Sequence, residues 1–106
     1  MEAYKNDKID KKLRWELLPL SLIEWIVKVY TFGANKYSAN SWQKLDDGYD
    51  RYKAALFRHI VLHEQGERFD RESGLPHLAH AAWNAIAMLH FGLKDMKDGN
   101  RFQQGK

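Results

Sequence analysis

The sequence predicts an all-α fold: a small helical bundle of three main helices joined by one long loop. Apolar residues recur at spacings of three and four, and Val and Ile fall within these helical periods rather than in the alternation typical of strands. The chain of 106 residues fits a single domain, 1–106. Because so short a chain buries a modest core, we expect the bundle to be completed by homo-oligomerisation.

The first helix follows a polar N-terminal arm (1–14) and opens the helical core (15–94). Ser21 and Glu24 have the spacing of a capping box, which predicts the start of the helix. Gly33 is suited to end it, since glycine accepts a positive φ. One apolar face follows from the spacing of Leu22, Trp25, Ile26, Val29 and Phe32.

A polar connection covers 33–48, and its length and aromatic content predict a functional loop. The second helix is predicted from about Tyr49 to Gln65, and Gly66 closes it. Pro76 suits the first turn of a third helix, which we expect to reach about Lys94. Residues 95–106 are expected to form a mobile tail.

The composition excludes several classes of protein. Without Cys there are no disulfides and no thiolate chemistry, and a cytoplasmic location is expected. The start of the chain is too polar for a secretory signal, and the apolar runs are too short for a membrane span, so we expect no membrane partner. The net charge of +3 suits a polyanionic small ligand as well as nucleic acid.

A nucleic-acid partner is not expected from the helices. A recognition helix needs several Lys or Arg along one face. The helix 76–91 has none, and in 49–65 the three basic residues do not form one stripe.

Histidines and acids concentrate around the second loop. His77 and His80 are three apart and share a helix face, as do His59 and His63, four apart. An antiparallel pair of helices would bring these ends together beside Glu67, Asp70 and Glu72. Imidazole nitrogens with carboxylate oxygens are the composition of a divalent-metal site, which could hold phosphate oxygens and activate water.

Other roles for these side chains remain open from the residues alone. Helical histidines are often hydrogen-bonded or exposed, and we expect this of His63 and His90. Asp70 or Ser73 could cap the third helix. Arg58 could form a plain salt bridge with Glu67 or Asp70.

The loop 33–44 holds a second group of candidates. Lys36 and Lys44 could contact phosphate, and Tyr37 and Trp42 could stack on a base. Asn35 and Asn40 could hydrogen-bond a base edge or a sugar. Alternatively, Trp42 packs the loop onto the bundle.

Three familiar signatures are absent. The sequence has no H-E-x-x-H, no adjacent His-Asp pair and no G-x-x-x-x-G-K-[S/T]. Zincin, HD-type phosphohydrolase and P-loop sites are therefore not supported.

Four blocks carry a resemblance to a known family: LRWELLP, FGANKYSANSW, RYKAALFRH and GERFDRESGLPHLAHAAWNAIAML. In order and spacing the chain resembles the phage and bacterial dATP/dGTP diphosphohydrolase-like proteins, which are distantly related to the MazG-type all-α nucleotide pyrophosphohydrolases. The resemblance covers residues 12 to about 91.

The resemblance implies hydrolysis of purine deoxynucleoside triphosphates to monophosphate and pyrophosphate, with Mg²⁺, Mn²⁺ or another divalent cation. It also implies a homo-oligomer located in the cytoplasm, which is the host cytoplasm for a phage protein. It implies catalytic roles for Glu67, Asp70 and His80. The implied metal ligands are His59, Glu67, Asp70, His77 and His80. The implied substrate-binding residues are Arg14, Lys36, Tyr37, Asn40, Trp42, Arg58, Ser73, His77 and Asn84.

One departure from the MazG pattern keeps a second function open. MazG-type helices generally carry E-x-x-E and E-x-x-D, whereas the third helix here reads His77-Leu-Ala-His80. Imidazoles in place of carboxylates remove negative charge from the site. The alternative is therefore a non-catalytic protein that binds or sequesters a nucleotide or a nucleotide-derived signal.

Overall fold

The computed structural model describes residues 12–98 and confirms an all-α fold. Three long helices form it: α1 (Leu20–Lys36), α2 (Gly48–Glu64) and α3 (His77–Lys97). Short 3₁₀ turns cover Trp15–Leu17 and Ser41–Lys44. Between 12 and 98 there is no β-strand, only an isolated bridge between Phe69 and Pro76.

Helices α2 and α3 form an antiparallel pair, which is the main packing contact of the fold. At one end, Gly48 lies so close to the ring of Phe91 that a Cβ at this position would overlap the ring. At the other end, His59 meets His77 and His80. Helix α1 packs mainly against α3. The predicted pairing of the His-bearing helix ends therefore occurs.

The predicted ends of the first helix were wrong. Ser21 and Glu24 form no capping box: the helix begins at Leu20, after Pro19 and with no side-chain cap, two residues before the start at Leu22 that a Ser21 cap implies. Gly33 lies inside the helix, which continues to Lys36. The reason is that a lone glycine weakens a helix without ending it when its neighbours keep helical geometry. The long loop is shorter as a result and begins at Tyr37.

The connection between α2 and α3 folds back on itself through backbone hydrogen bonds. The amide of Asp70 donates to the carbonyl of Leu75, and that of His77 to Arg68, both at 2.8 Å. Gly74 has a φ of +73°, a conformation that side chains with a Cβ rarely adopt. This tight turn holds Asp70 and Ser73 next to the start of α3.

The core is small and lies along α3. Its buried apolar residues are Val29, Ala79, Ala81 and Ala87, and the small alanines let α2 approach closely. Four polar residues are buried with them: His59, His77, His80 and Asn84. The predicted apolar face of α1 is buried only at Val29, whereas Leu22 and Trp25 are exposed, because α1 has one main neighbour rather than two.

Helix α3 continues past the predicted end at Lys94, so residues 95–97 belong to it rather than to a tail. The remainder of the predicted tail (99–106) and most of the predicted arm (1–11) lie outside the described residues. Among residues 12–98, each helix is too short or too polar to cross a bilayer.

Candidate functional site

A cavity of about 970 Å³ opens between α1, the 3₁₀ turn at Ser41–Lys44, α2 and the start of α3. One part of its lining, the aromatic end, is the cluster of rings around Trp83, and another part, the polar end, holds His59, Asp70 and His80. Its aromatic lining comes from Tyr30, Phe32, Tyr37, Trp42, Tyr52 and Trp83. Its charged and titratable lining comes from Lys36, Arg51, Arg58, His59, Asp70, Glu72 and His80.

Three histidines meet at the polar end. The Nδ1 of His59 lies 2.8 Å from the Nδ1 of His77, a hydrogen-bond distance. The ring of His59 also stacks on His80, with centroids 4.7 Å apart and planes 10° apart. This cluster follows from the helix spacing, since His77 and His80 share a face of α3 that packs against α2.

Two acids support this cluster from the connecting loop. An Oε2 of Glu67 lies 2.8 Å from the Nε2 of His77. The Oδ2 of Asp70 accepts hydrogen bonds from the backbone amide (2.8 Å) and hydroxyl (3.0 Å) of Ser73. The Ser73 hydroxyl oxygen is in turn 2.7 Å from the Nε2 of His80. Glu67 is therefore hydrogen-bonded directly to His77, and Asp70 is linked to His80 through the hydroxyl of Ser73.

Three of the five predicted metal ligands converge on one point. Ligand atoms of His59, Asp70 and His77 all lie within 4.8 Å of one another. Two imidazole nitrogens and one carboxylate oxygen suit a divalent transition ion better than they suit Mg²⁺, which prefers oxygen ligands. Glu67 stands behind His77, and His80 is turned toward Ser73.

Burial sets the protonation of this end. Burial, followed by the neighbouring His80 and His77, lowers the pKa of His59 to about 4. Burial also lowers the pKa of His80, against the opposing charge of Asp70. The hydrogen bond from His77 lowers the pKa of Glu67. Burial alone would raise the pKa of Asp70, but the hydrogen bonds from Ser73 lower it. Near neutral pH the site thus holds neutral His59 and His80 beside ionised carboxylates.

The aromatic end is built around Trp83. Its ring makes edge-to-face contacts with Tyr30 (centroids 5.7 Å apart), Trp42 (5.7 Å) and Tyr52 (5.2 Å). Trp42 is half-buried in this cluster and also lines the cavity, so it packs the loop and faces the site at once.

Sequence reasoning missed three of these cavity residues: Tyr30, Tyr52 and Trp83. Two of them had a signal in their spacing. Tyr52 is seven residues before His59, and Trp83 is three after His80, so each shares a helix face with a histidine of the site.

The end of α1 and the loop after it supply the cationic and exposed aromatic groups. Lys36 forms an ion pair with Glu72, which raises the pKa of the lysine and links α1 to the second loop. Tyr37 lines the cavity with 70% of its surface exposed, and the Nζ of Lys36 lies 5.2 Å from the centroid of its ring. Asn40 has a φ of +64° and also faces the cavity.

Some of the remaining predicted residues line the cavity and the others do not. Arg58 and Asn84 line the cavity, and Asn84 donates a 2.8 Å hydrogen bond to the carbonyl of His80. Arg14 does not line it and pairs with Glu16 instead. Glu67, Ser73 and His77 lie behind the lining.

The contacts also test the alternative roles predicted for these residues, namely helix capping and simple ion pairing. Helix α3 begins after Pro76 with no side-chain cap, so neither Asp70 nor Ser73 caps it. Within residues 12–98, Arg58 forms no ion pair with Glu67 or Asp70. His63 lies away from the cavity and is 2.7 Å from the guanidinium of Arg68.

Comparisons with known proteins agree with the resemblance of the sequence. The family model described as "dATP/dGTP diphosphohydrolase, N-terminal" matches residues 2–101. A curated protein of Salmonella phage PMBT28, named "dATP/dGTP diphosphohydrolase", is 39% identical over 69 residues. That alignment covers 60% of this chain and 23% of the relative, so the chain spans about a quarter of the relative's length. No solved structure matches. Because the family model covers nearly the whole sequence, this chain belongs to the family of dATP/dGTP diphosphohydrolase N-terminal domains.

Proposed function

We propose that the chain binds a purine deoxynucleoside triphosphate in the cavity and hydrolyses it to the monophosphate and pyrophosphate, with a divalent cation, Mn²⁺ or Mg²⁺. The observation that carries the proposal is the grouping of His59, Asp70 and His77 at one end of a cavity whose other end is aromatic. Membership of the family, and the printed name of the phage relative, support the reaction class.

The aromatic end suits a purine base. Tyr37 is largely exposed, and it lines the same cavity as the cluster of rings around Trp83. Stacking of a base on an aromatic side chain contributes about 1–3 kcal/mol. Asn40 and Asn84 supply amide groups within the lining that can hydrogen-bond a base edge or a sugar.

The polar end suits a triphosphate. Lys36 and Arg58 line the cavity and would offset negative charge on the phosphate oxygens. His59 is neutral near neutral pH because its pKa is about 4, so it offers a lone pair rather than a positive charge. Asp70 is ionised and accepts two hydrogen bonds from Ser73 on one oxygen.

The donor set fits a divalent cation. His59 and Asp70, which line the cavity, are the residues that would hold it, with His77 close behind them, and an imidazole nitrogen favours Mn²⁺ over Mg²⁺. When bound, such a cation polarises phosphate oxygens and lowers the pKa of a bound water. In the overall reaction the oxygen of water bonds to the α-phosphorus, the bridging oxygen leaves with pyrophosphate, and the proton of the water passes to a base.

Hydrolysis is tested by incubating the purified chain with each dNTP and either Mn²⁺ or Mg²⁺, and separating the products by chromatography. We expect dNMP and pyrophosphate from dATP or dGTP. Asp70→Asn should lower the rate by about 100-fold or more, because a direct ligand matters at least as much as the groups that support it. Asp46→Asn is the matched control, since Asp46 is exposed and lies outside the cavity lining. An absence of pyrophosphate with every dNTP and both cations contradicts hydrolysis.

A second function is favoured by the low number of carboxylates in the group. Among residues 12–98, only Asp70 joins the two imidazoles within 4.8 Å, and Glu67 lies behind His77. The same cavity could capture a nucleotide without turning it over, with Lys36 and Arg58 holding the phosphates. Calorimetry with EDTA separates the two functions: tight nucleotide binding without cation and without turnover favours capture, whereas cation-dependent binding favours the enzyme.

A further inference from the structure

A chain of two hydrogen bonds runs from Glu67 to the cavity wall. The carboxylate of Glu67 contacts the Nε2 of His77, and the Nδ1 of His77 contacts the Nδ1 of His59, each at 2.8 Å. His77 is only 1% exposed, and both of its ring nitrogens are used in this chain. Of the three residues, only His59 lines the cavity.

The carboxylate fixes the direction of both hydrogen bonds. An ionised carboxylate only accepts, so the Nε2 of His77 must donate to it. A neutral imidazole carries one N–H, so the Nδ1 of His77 then accepts, and the Nδ1 of His59 donates.

The consequence appears at the cavity. With its proton on Nδ1, His59 has an unprotonated Nε2. Within residues 12–98, that nitrogen makes no hydrogen bond. Two buried side-chain nitrogens there lack a hydrogen-bond partner, His63 Nδ1 and Trp83 Nε1, so the Nε2 of His59 is not buried. It is therefore accessible from the cavity that His59 lines.

We propose that Glu67 is a positioning residue which, through His77, holds His59 in the Nδ1–H tautomer and so presents the unprotonated Nε2 of His59 to the cavity. The use of that lone pair for a cation rests on the proposed function, whereas the tautomer does not. The assignment also divides the predicted ligands: His59 Nε2 and Asp70 face the cavity, whereas Glu67 and His77 support them. Carboxylates that orient ligand histidines in this way are common around protein metal sites.

The tautomers are read directly by long-range ¹H–¹⁵N spectra of the ¹⁵N-labelled full chain, with EDTA, near neutral pH. We expect the Nδ1–H pattern for His59 and the Nε2–H pattern for His77. Glu67→Ala should abolish the preference at His59, whereas Glu67→Gln should retain it, because the amide oxygen still accepts from His77. Glu64→Ala is the matched control: this exposed glutamate ends α2, and the side-chain partners of His77 within residues 12–98 are Glu67 and His59.

A second readout is the affinity for Mn²⁺ measured by calorimetry. Glu67→Ala should weaken binding about 10- to 100-fold, the usual effect of removing a supporting carboxylate, and Glu67→Gln should recover part of this loss. Circular dichroism checks that each variant keeps its helical content. If Glu67→Ala loses helicity, the spectra of the wild-type chain and of Glu67→Gln test the role of Glu67.

The outcomes separate the two proposals. The Nε2–H tautomer at His59, or a doubly protonated His77, in the wild-type chain overturns the role of Glu67 even if dNTP hydrolysis is observed. Conversely, the expected tautomers in a chain that hydrolyses no dNTP leave the positioning role intact and contradict the proposed function.

Discussion

At the scale of single residues, burial gives the histidines different roles. His59, His77 and His80 are buried together at the cavity end, whereas His63 and His90 lie outside the cavity lining. The sequence placed His77 and His80 on one face of a helix and named Glu67 and Asp70 as their neighbours. It could not say which ring nitrogen meets which acid, because that depends on rotamers set by packing between α2 and α3.

The low pKa of His59 predicts a loss of stability in mild acid. In the unfolded chain the imidazole takes up a proton near pH 6.5, but in the fold only near pH 4. Between these values the unfolded state binds more protons, so the free energy of unfolding decreases as the pH falls. The difference corresponds to at most about 3 kcal/mol for this group.

Urea unfolding of the chain with EDTA at about pH 7.5 and about pH 5 measures this loss. His59→Gln should reduce the dependence on pH, because it removes one of the two buried histidines, His59 and His80, whose pKa values are lowered in the fold. His63→Gln, a substitution on the same helix outside the cavity, should keep the wild-type slope. Equal stability of the wild-type chain at both pH values would contradict a buried neutral His59.

At the scale of secondary-structure elements, two glycines show how neighbours decide the effect of a residue. Gly33 was predicted to end α1 but lies within it, where nothing stands within 4 Å of a Cβ. Gly48 opens α2 and was not singled out from the sequence, yet the ring of Phe91 occupies the space of its missing Cβ. Local patterns identify helix-forming segments, but contacts across the antiparallel pair determine where a side chain is tolerated.

This contrast predicts opposite effects for the same substitution. Gly48→Ala should destabilise the fold by about 1–3 kcal/mol, because the new methyl group displaces Phe91 from its contact with α2. Gly33→Ala should stabilise it by up to about 1 kcal/mol, since alanine favours the helix and meets no neighbour. Chemical denaturation of both variants measures the two shifts. A Gly48→Ala variant as stable as Gly33→Ala would show that the α2–α3 contact at Phe91 is not close.

At the scale of the whole molecule, much apolar surface remains uncovered. Helix α1 leaves Leu22 62% and Val27 51% exposed, and the far half of α3 leaves Leu89 59% exposed. Soluble monomers rarely expose large apolar patches, and a chain of this length buries only a modest core. We therefore propose that a second copy of the chain covers the outer face of α1.

This proposal predicts a mass in solution of at least twice the 12.5 kDa of one chain, measured by light scattering after size-exclusion chromatography. Leu22→Gln should weaken association about 10- to 100-fold, since burying a leucine contributes about 1.5–3 kcal/mol. Thr31→Gln is a control on the same helix, at an already polar exposed position. A single-chain mass at high micromolar concentration would contradict the oligomer.

The sequence by itself determined the fold class, the three helical segments, the pairing of the His-bearing helix ends and the family. These follow from local periodicity and from motifs, which are properties of neighbouring residues. Tertiary structure decided which side of α1 is covered, which aromatic residues line the cavity, and which three of the five predicted ligands converge. The reason is that convergence depends on distances between elements, and a few ångströms there separate a residue that faces the cavity, such as His59, from one that supports it from behind, such as Glu67.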